Sequence, residues 1–250
     1  MSKNIIFYDI PSTTPGVPWS PNTWKTRYSL NFKGLPYTTV WVECPDIEAT
    51  CKKIGALPTA KKIDGSPLYT LPSIYDPSTG VAVSESTEIA IYLDTTYPNT
   101  PKLFPPGSHA LQRDVLDAHF RPSTMAMLQF TMPAIFNVLN PVSQVFFRLT
   151  KEVVFGMTVE ELSPKGKRRE EEWAKVREEF QVIHSRLPHE NGPYIMGSKV
   201  SFLDFVVASH VMVIKDLLGE GSKEWNDMKT WNGGRWVALM KNVERYTKIA

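Results

Sequence analysis

The chain has little of several things, and each shortage excludes a class. Among its 250 residues there are two cysteines, Cys44 and Cys51. Their wide C-x6-C spacing rules out a dithiol redox motif, a disulfide framework and a cysteine-built metal site. The histidines, at 109, 119, 184, 189 and 210, are scattered. Only His109 and His119, with Asp117, approach a ligand-like grouping. Asp117 and His119 are two apart and fall on different faces of a helix, so a solvated helix is the reading and no metal is expected. An excess of one charge sign is also missing. The 28 Lys+Arg against 26 Asp+Glu leave +2, unlike the basic surplus of a nucleic-acid or anionic-membrane binder. No run approaches the ~18 apolar residues that cross a bilayer. The N-terminus meets an acid, Asp9, too early for a secretory signal, so a reducing, cytoplasmic setting is expected.

What is present suits a folded protein. Hydrophobic residues make up 42% and charged residues 22%, near globular averages. At roughly 150 residues per domain the length fits one large or two small domains. Proline marks the division: Pro98, Pro101, Pro105 and Pro106 crowd residues 98–107, where neither helix nor strand survives. Residues 1–97 and 108–250 are therefore read as separate domains.

The first domain alternates strand and helix signals. Ile5–Tyr8 is a short buried strand. Ser20 stands at an N-cap with Pro21 behind it, and Gly34 terminates a helix whose apolar face carries Trp24, Tyr28 and Phe32. Tyr37–Val42 is β-branched and aromatic, a second strand. After a less regular stretch with a helix over Ala49–Ile54, Ser73–Tyr75 and Val81–Val83 flank a five-residue turn, a hairpin. A helix begins near Glu85, with Ile89, Ala90, Leu93 and Tyr97 on one face, and stops before Pro98. Beyond the linker the pattern is helical. Trp173, Val176, Phe180, Ile183 and Leu187 recur at three- and four-residue intervals over 164–187. Phe202–Leu218 is apolar on nearly every side, the mark of a buried central helix.

The order βαβ-α-ββα is that of a thioredoxin-like domain, here followed by an all-α helical bundle. Four segments sharpen this. Trp19-Ser20-Pro21-Asn22-Thr23-Trp24 puts a hydroxyl at the first helix N-terminus. Leu71-Pro72-Ser73 puts a proline at a strand entrance, where the pattern expects a cis bond. Glu85-Ser86 opens the third helix. Gly197-Ser198-Lys199-Val200-Ser201-Phe202-Leu203-Asp204 reads as an N-capping box at the start of the buried helix. With these motifs in order around a proline-rich linker, the chain resembles the soluble glutathione transferase superfamily over nearly its whole length. The Trp19–Arg27 and Leu30–Tyr37 stretches are most similar to the fungal FuA class, itself related to bacterial glutathione-dependent β-etherases.

The resemblance implies glutathione as cosubstrate, with no metal. Ser20 would donate a hydrogen bond to the glutathione thiolate at a helix N-terminus, whose partial positive charge favours an anion. Capping of its own helix is the competing use of Ser20. Asn22 would supply or share that bond. The backbone of Leu71, before cis-Pro72, would meet the cysteinyl unit. Ser86 would hold the γ-glutamyl carboxylate and Glu85 the ammonium, with ordinary helix capping as the alternative for both. Lys61 and Lys62 are basic candidates for the glycyl end, which stays unassigned.

The helical domain would contribute a hydrophobic site for aromatic small molecules, with the second substrate between the domains. Phe120, Met125, Met127, Phe130, Met132 and Phe136 fall in the right region, although most such residues are core. Trp19 would wall an aromatic pocket. The resemblance implies a transferase or etherase working as a homodimer. A ligandin-type carrier of aromatic or polyphenolic molecules, with little catalysis, shares the same scaffold. The mixed run Lys165–Glu172 reads as a solvated, self-paired helix face rather than a nucleic-acid patch.

Overall fold

The computed structural model describes residues 4–187 and 192–250, without the side chains of residues 119 and 121–125. His119, His189 and Met125 therefore lie outside the described residues. Backbone proximity divides the chain into two compact units. The first holds the residues up to Leu103 together with Val138–Thr150 and Tyr246–Ala250; the second holds Phe104–Asn137 and Lys151–Arg245.

The first unit is a thioredoxin-like α/β fold. Strand β1 (Ile5–Asp9) leads through a loop to α1 (Pro21–Lys33) and on to β2 (Tyr37–Trp41), parallel to β1. Helix α1 ends as its sequence requires, on Gly34 in the left-handed conformation at φ 66°, which costs a residue without Cβ nothing. Helix α2 (Ile47–Ile54) follows. A two-residue ribbon, β3 (Ala60–Lys61) with β4 (Pro67–Leu68), comes next; it is too short for any periodicity to announce. The hairpin β5 (Ser73–Asp76) and β6 (Val81–Ser84) completes a four-stranded sheet of order β2-β1-β5-β6 before α3 (Ser86–Thr96). Asp76 ties hairpin to helix: its Oδ2 accepts from the Tyr92 and Tyr97 hydroxyls, and burial together with that carboxylate pushes Tyr97 up to about 12.

One charged residue sits where the apolar pattern of α1 predicts none. Arg27 is fully buried against the sheet, its guanidinium donating to Asp9 Oδ2 at 2.7 Å. It also donates to the Tyr37 and Thr39 hydroxyls and lies over the rings of Phe7, Trp24, Tyr37 and Trp41. The buried pair fixes α1 to the end of β1 from which the α1 loop departs.

The second unit is helical, built from α4 (His109–Asp114), a wider π-type turn over Val115–Phe120, α5 (Arg121–Val138), part of α6 (Pro141–Phe155), α7 (Val159–Leu162), α8 (Gly166–Arg186), α9 (Phe202–Leu218), α10 (Lys223–Met228) and α11 (Arg235–Val243). Helix α9 is buried along most of its length, and α8 turns Trp173, Val176, Phe180 and Ile183 inward as their spacing predicts. The mixed run on α8 is largely paired: Lys167 meets Glu171, and Arg169 reaches Glu224 of α10. Asp117 pairs with Arg113. Phe120, Met127, Phe130 and Met132 are core side chains, with Phe130 packed on Trp173 and Phe120 on Phe180. Among the described residues no helix is long and apolar enough to cross a membrane.

The Ser201–Asp204 turn starts α9. Asp204 is fully buried and accepts from the N–H and hydroxyl of Ser201 and the N–H of Ile195, each at 2.7 Å. Those donors favour the carboxylate, but desolvation outweighs them and pushes the group up to about 6. Between about pH 4 and 6 the folded chain therefore binds a proton that the unfolded chain has released, so this group's contribution to stability falls as pH rises through that window. The stability advantage of wild type over Asp204→Asn is expected to shrink from pH 4 to 6 and stay constant above, read from paired urea titrations. A constant difference across that range would contradict the assignment.

Candidate functional site

Sheet register gathers the sequence-predicted residues of the first unit at one end of the sheet. Tyr8 near the end of β1 pairs with Ser73 at the start of β5, and Ser73 pairs with Ser84 at the end of β6. The loop to Ser20 and α1 therefore leaves from the same end at which Leu71-Pro72 enters and Glu85-Ser86 departs. Two helix N-termini, those of α1 and α3, emerge there, each with partial positive charge and first-turn N–H groups that no carbonyl of its own helix matches. Open α/β sheets bind ligands at the carboxyl ends of their strands for this reason.

The loop before α1 is held by its own hydrogen bonds. Ser12 Oγ donates to the carbonyls of Thr14 and Val17, Trp19 Nε1 to Pro11 O, and Trp24 Nε1 to Pro18 O. Ser20 is buried at 5% exposure. It stands at the N-cap with extended backbone, yet its hydroxyl makes no bond to its own helix, and no acidic residue lies in the first turn. The capping role that competes for Ser20 is thus unfilled. Asn22 is exposed, and its Oδ1 accepts from Lys25.

The Leu71–Pro72 peptide bond is cis, and Leu71 lies before the ladder, which begins at Ser73. Pro72 O accepts from Glu85 N at 3.2 Å, joining the proline turn to the start of α3. Glu85 has φ 77° and ψ 129°, a conformation that costs a residue with a side chain on the order of 1–3 kcal/mol. Its carboxylate caps α3: Oε2 accepts from the N–H groups of Thr87 and Glu88, and Oε1 from Ser86 Oγ. The capping alternative offered for Glu85 is thus filled, and the same carboxylate accepts from and orients the Ser86 hydroxyl.

Other candidates stand elsewhere. Lys62 pairs with Glu48 at 3.0 Å, and Lys61 is exposed on the small ribbon. Cys51 is fully buried, its thiol pushed up by desolvation, which suits an inert packing residue. Among the described residues no group of three His, Cys, Asp or Glu is placed to hold a metal. Sequence reasoning missed Arg27 and Asp9, which set the position of α1; the available signal was an arginine three residues after Trp24, on the face turned to a strand ending in an acid.

Comparison with known proteins is consistent along the whole chain. Residues 19–96 match the family model described as the N-terminal domain of glutathione S-transferase, and residues 110–246 match a model of its C-terminal domain. A glutathione S-transferase of Ceriporiopsis subvermispora, CsGST63524, solved in complex with glutathione, superposes with a TM-score of 0.91 at 43% identity, covering 99% of each chain. Glutathione transferase GSTFuA3 of Phanerochaete chrysosporium superposes with a TM-score of 0.91 at 41% identity over 100% of both chains. The glutathione S-transferase-like protein ustS of Aspergillus flavus is 33% identical over 222 residues, 81% of this chain and 77% of that protein.

Proposed function

This chain belongs to the glutathione S-transferase family, and we propose that it activates the glutathione thiol with Ser20 for reaction with aromatic electrophiles. The observation that carries the reading is the hydroxyl of Ser20, a residue only 5% exposed, left unbonded by its own helix at an N-terminus without a first-turn acid. A thiolate placed there gains a hydrogen bond and a favourable field, which lowers its pKa and raises the fraction of nucleophile. Leu71, ahead of Pro72, offers backbone N–H and C=O to the cysteinyl unit. Ser86, at the start of α3, takes the γ-glutamyl carboxylate. Glu85 takes the ammonium with the one lone pair of Oε1 that its bonds leave over, since each carboxylate oxygen accepts twice and Oε2 already does so.

In the reaction, sulfur forms a bond to an electrophilic carbon while the bond to the leaving group breaks, and the electron pair departs with that group. With an aryl ether the departing group is an aryloxide, which takes a proton from water. Residues 1–97 supply the glutathione side and the helical residues 108–250 the apolar substrate site, with 98–107 as linker. The protein works in the cytoplasm as a homodimer.

Calorimetric titration of glutathione into wild type and Ser86→Ala tests the binding half. Micromolar to millimolar binding to wild type, weakened about tenfold or more by loss of the charge-assisted bond, is the expected outcome. A wild-type chain that does not bind glutathione would remove this reading and leave a ligandin-type carrier of aromatic molecules. Tight aromatic binding with negligible turnover on many electrophiles would mark that carrier.

A further inference from the structure

Helix α6 is turned inside out relative to an ordinary surface helix, whose outer face is polar. Its polar residues Gln144, Arg148, Thr150, Lys151 and Glu152 are half-buried, and Ser143 is fully buried beside Phe147. After Pro141, every exposed side chain on it is apolar: Val142, Val145, Phe146, Leu149, Val153 and Val154. Leu149 is 67% exposed and Val153 75%. The start of the helix is firmly held, because Glu43 accepts from Asn140 Nδ2 and Ser143 Oγ, and Cys44 N donates to Ser143 Oγ. The apolar face is therefore a fixed feature of an anchored helix.

We propose that a second copy of this chain docks on this face, α6 against α6 in antiparallel register about a two-fold axis passing near Leu149. The proposal rests on the homodimer reading above and assigns its surface. An isologous interface must map onto itself, and this stripe does. Reversing the helix about the point between Leu149 and Thr150 exchanges Val145 with Val154 and Phe146 with Val153, all of them exposed. The two copies of Leu149 come side by side, and no charged side chain is among the exposed residues of the helix. The size also fits: the stripe offers roughly 600 Å² of apolar surface, at the upper end for a monomer and near the ~800 Å² per partner of a standard interface.

Sedimentation of the full chain across a concentration series, with Leu149→Glu and Leu149→Lys, tests this. Wild type is expected to sediment as a dimer. Each variant alone should dissociate with a dimer constant weakened about 100-fold or more, because like charges would face each other in an apolar interface. An equimolar mixture of the two variants should recover the dimer, which misfolding of either variant would not produce. A monomeric wild type would overturn both the surface and the homodimer. A dimeric wild type whose variants each remain dimeric would overturn the surface alone. A monomeric wild type that floats with phosphatidylcholine vesicles would assign the face to a lipid surface instead, and would likewise overturn the proposal.

Discussion

Arg27→Met is expected to destabilise the chain by about 3–5 kcal/mol, the effect of leaving a buried carboxylate without its partner. Asp9 is fully buried, and desolvation pushes its carboxyl up while the guanidinium 2.7 Å away pulls it back. Taking the arginine away leaves that desolvation opposed only by hydrogen bonds from the Ile10 N–H and the Thr23 side chain, and also removes a cation from four aromatic rings. For a chain of this length the melting temperature should fall by on the order of 10 °C. The double variant Arg27→Met/Asp9→Leu should recover part of the loss, because it removes both charges. Thermal melts and urea titrations of the four proteins decide the matter. A single variant within 1 kcal/mol of wild type, or a double variant worse than the sum of its singles, would show that the pair does not hold α1 in place. Because the pair anchors the helix whose N-terminus carries Ser20, glutathione affinity is expected to fall in any single variant that still folds.

Ser20→Ala separates a chemical role from a structural one. Loss of one preorganised donor to a developing or stored anion lowers kcat/KM by about 100- to 1000-fold in comparable sites, and a nitroaryl chloride serves as the electrophile. The pH–rate profile should shift with it, the rising limb moving toward the ~8.5 of an unassisted thiol. Stability should scarcely change. A serine that caps its helix loses ~1 kcal/mol on truncation, whereas the Ser20 hydroxyl makes no such bond. A variant that keeps wild-type kcat/KM, or that loses a kilocalorie of stability with an unmoved pH profile, would reassign Ser20 to the helix alone.

Much of this protein is written in local pattern. The apolar run of Ile5–Tyr8, the β-branched and aromatic run of Tyr37–Val42, the Ser20-Pro21 start and the Gly34 stop of α1, and the three- and four-residue spacing of Trp173 to Ile183 are short-range signals, and the structure follows them. The residues of the candidate site were legible for the same reason: a hydroxyl, a proline and a Glu-Ser pair each sit at a boundary between elements, where turn and cap chemistry restricts what the chain can use. Tertiary structure alone decided the rest. No periodicity says that Arg27 turns inward, because its burial depends on an acid contributed by a neighbouring strand. Whether Ser20 caps its helix is settled by the direction of one hydroxyl. Glu85 takes an unfavourable backbone conformation only because Pro72 and two N–H groups of α3 hold it there. The outward apolar face of α6 is invisible in the sequence, since periodicity reports only that one side of a helix differs from the other and packing chooses which of them meets solvent.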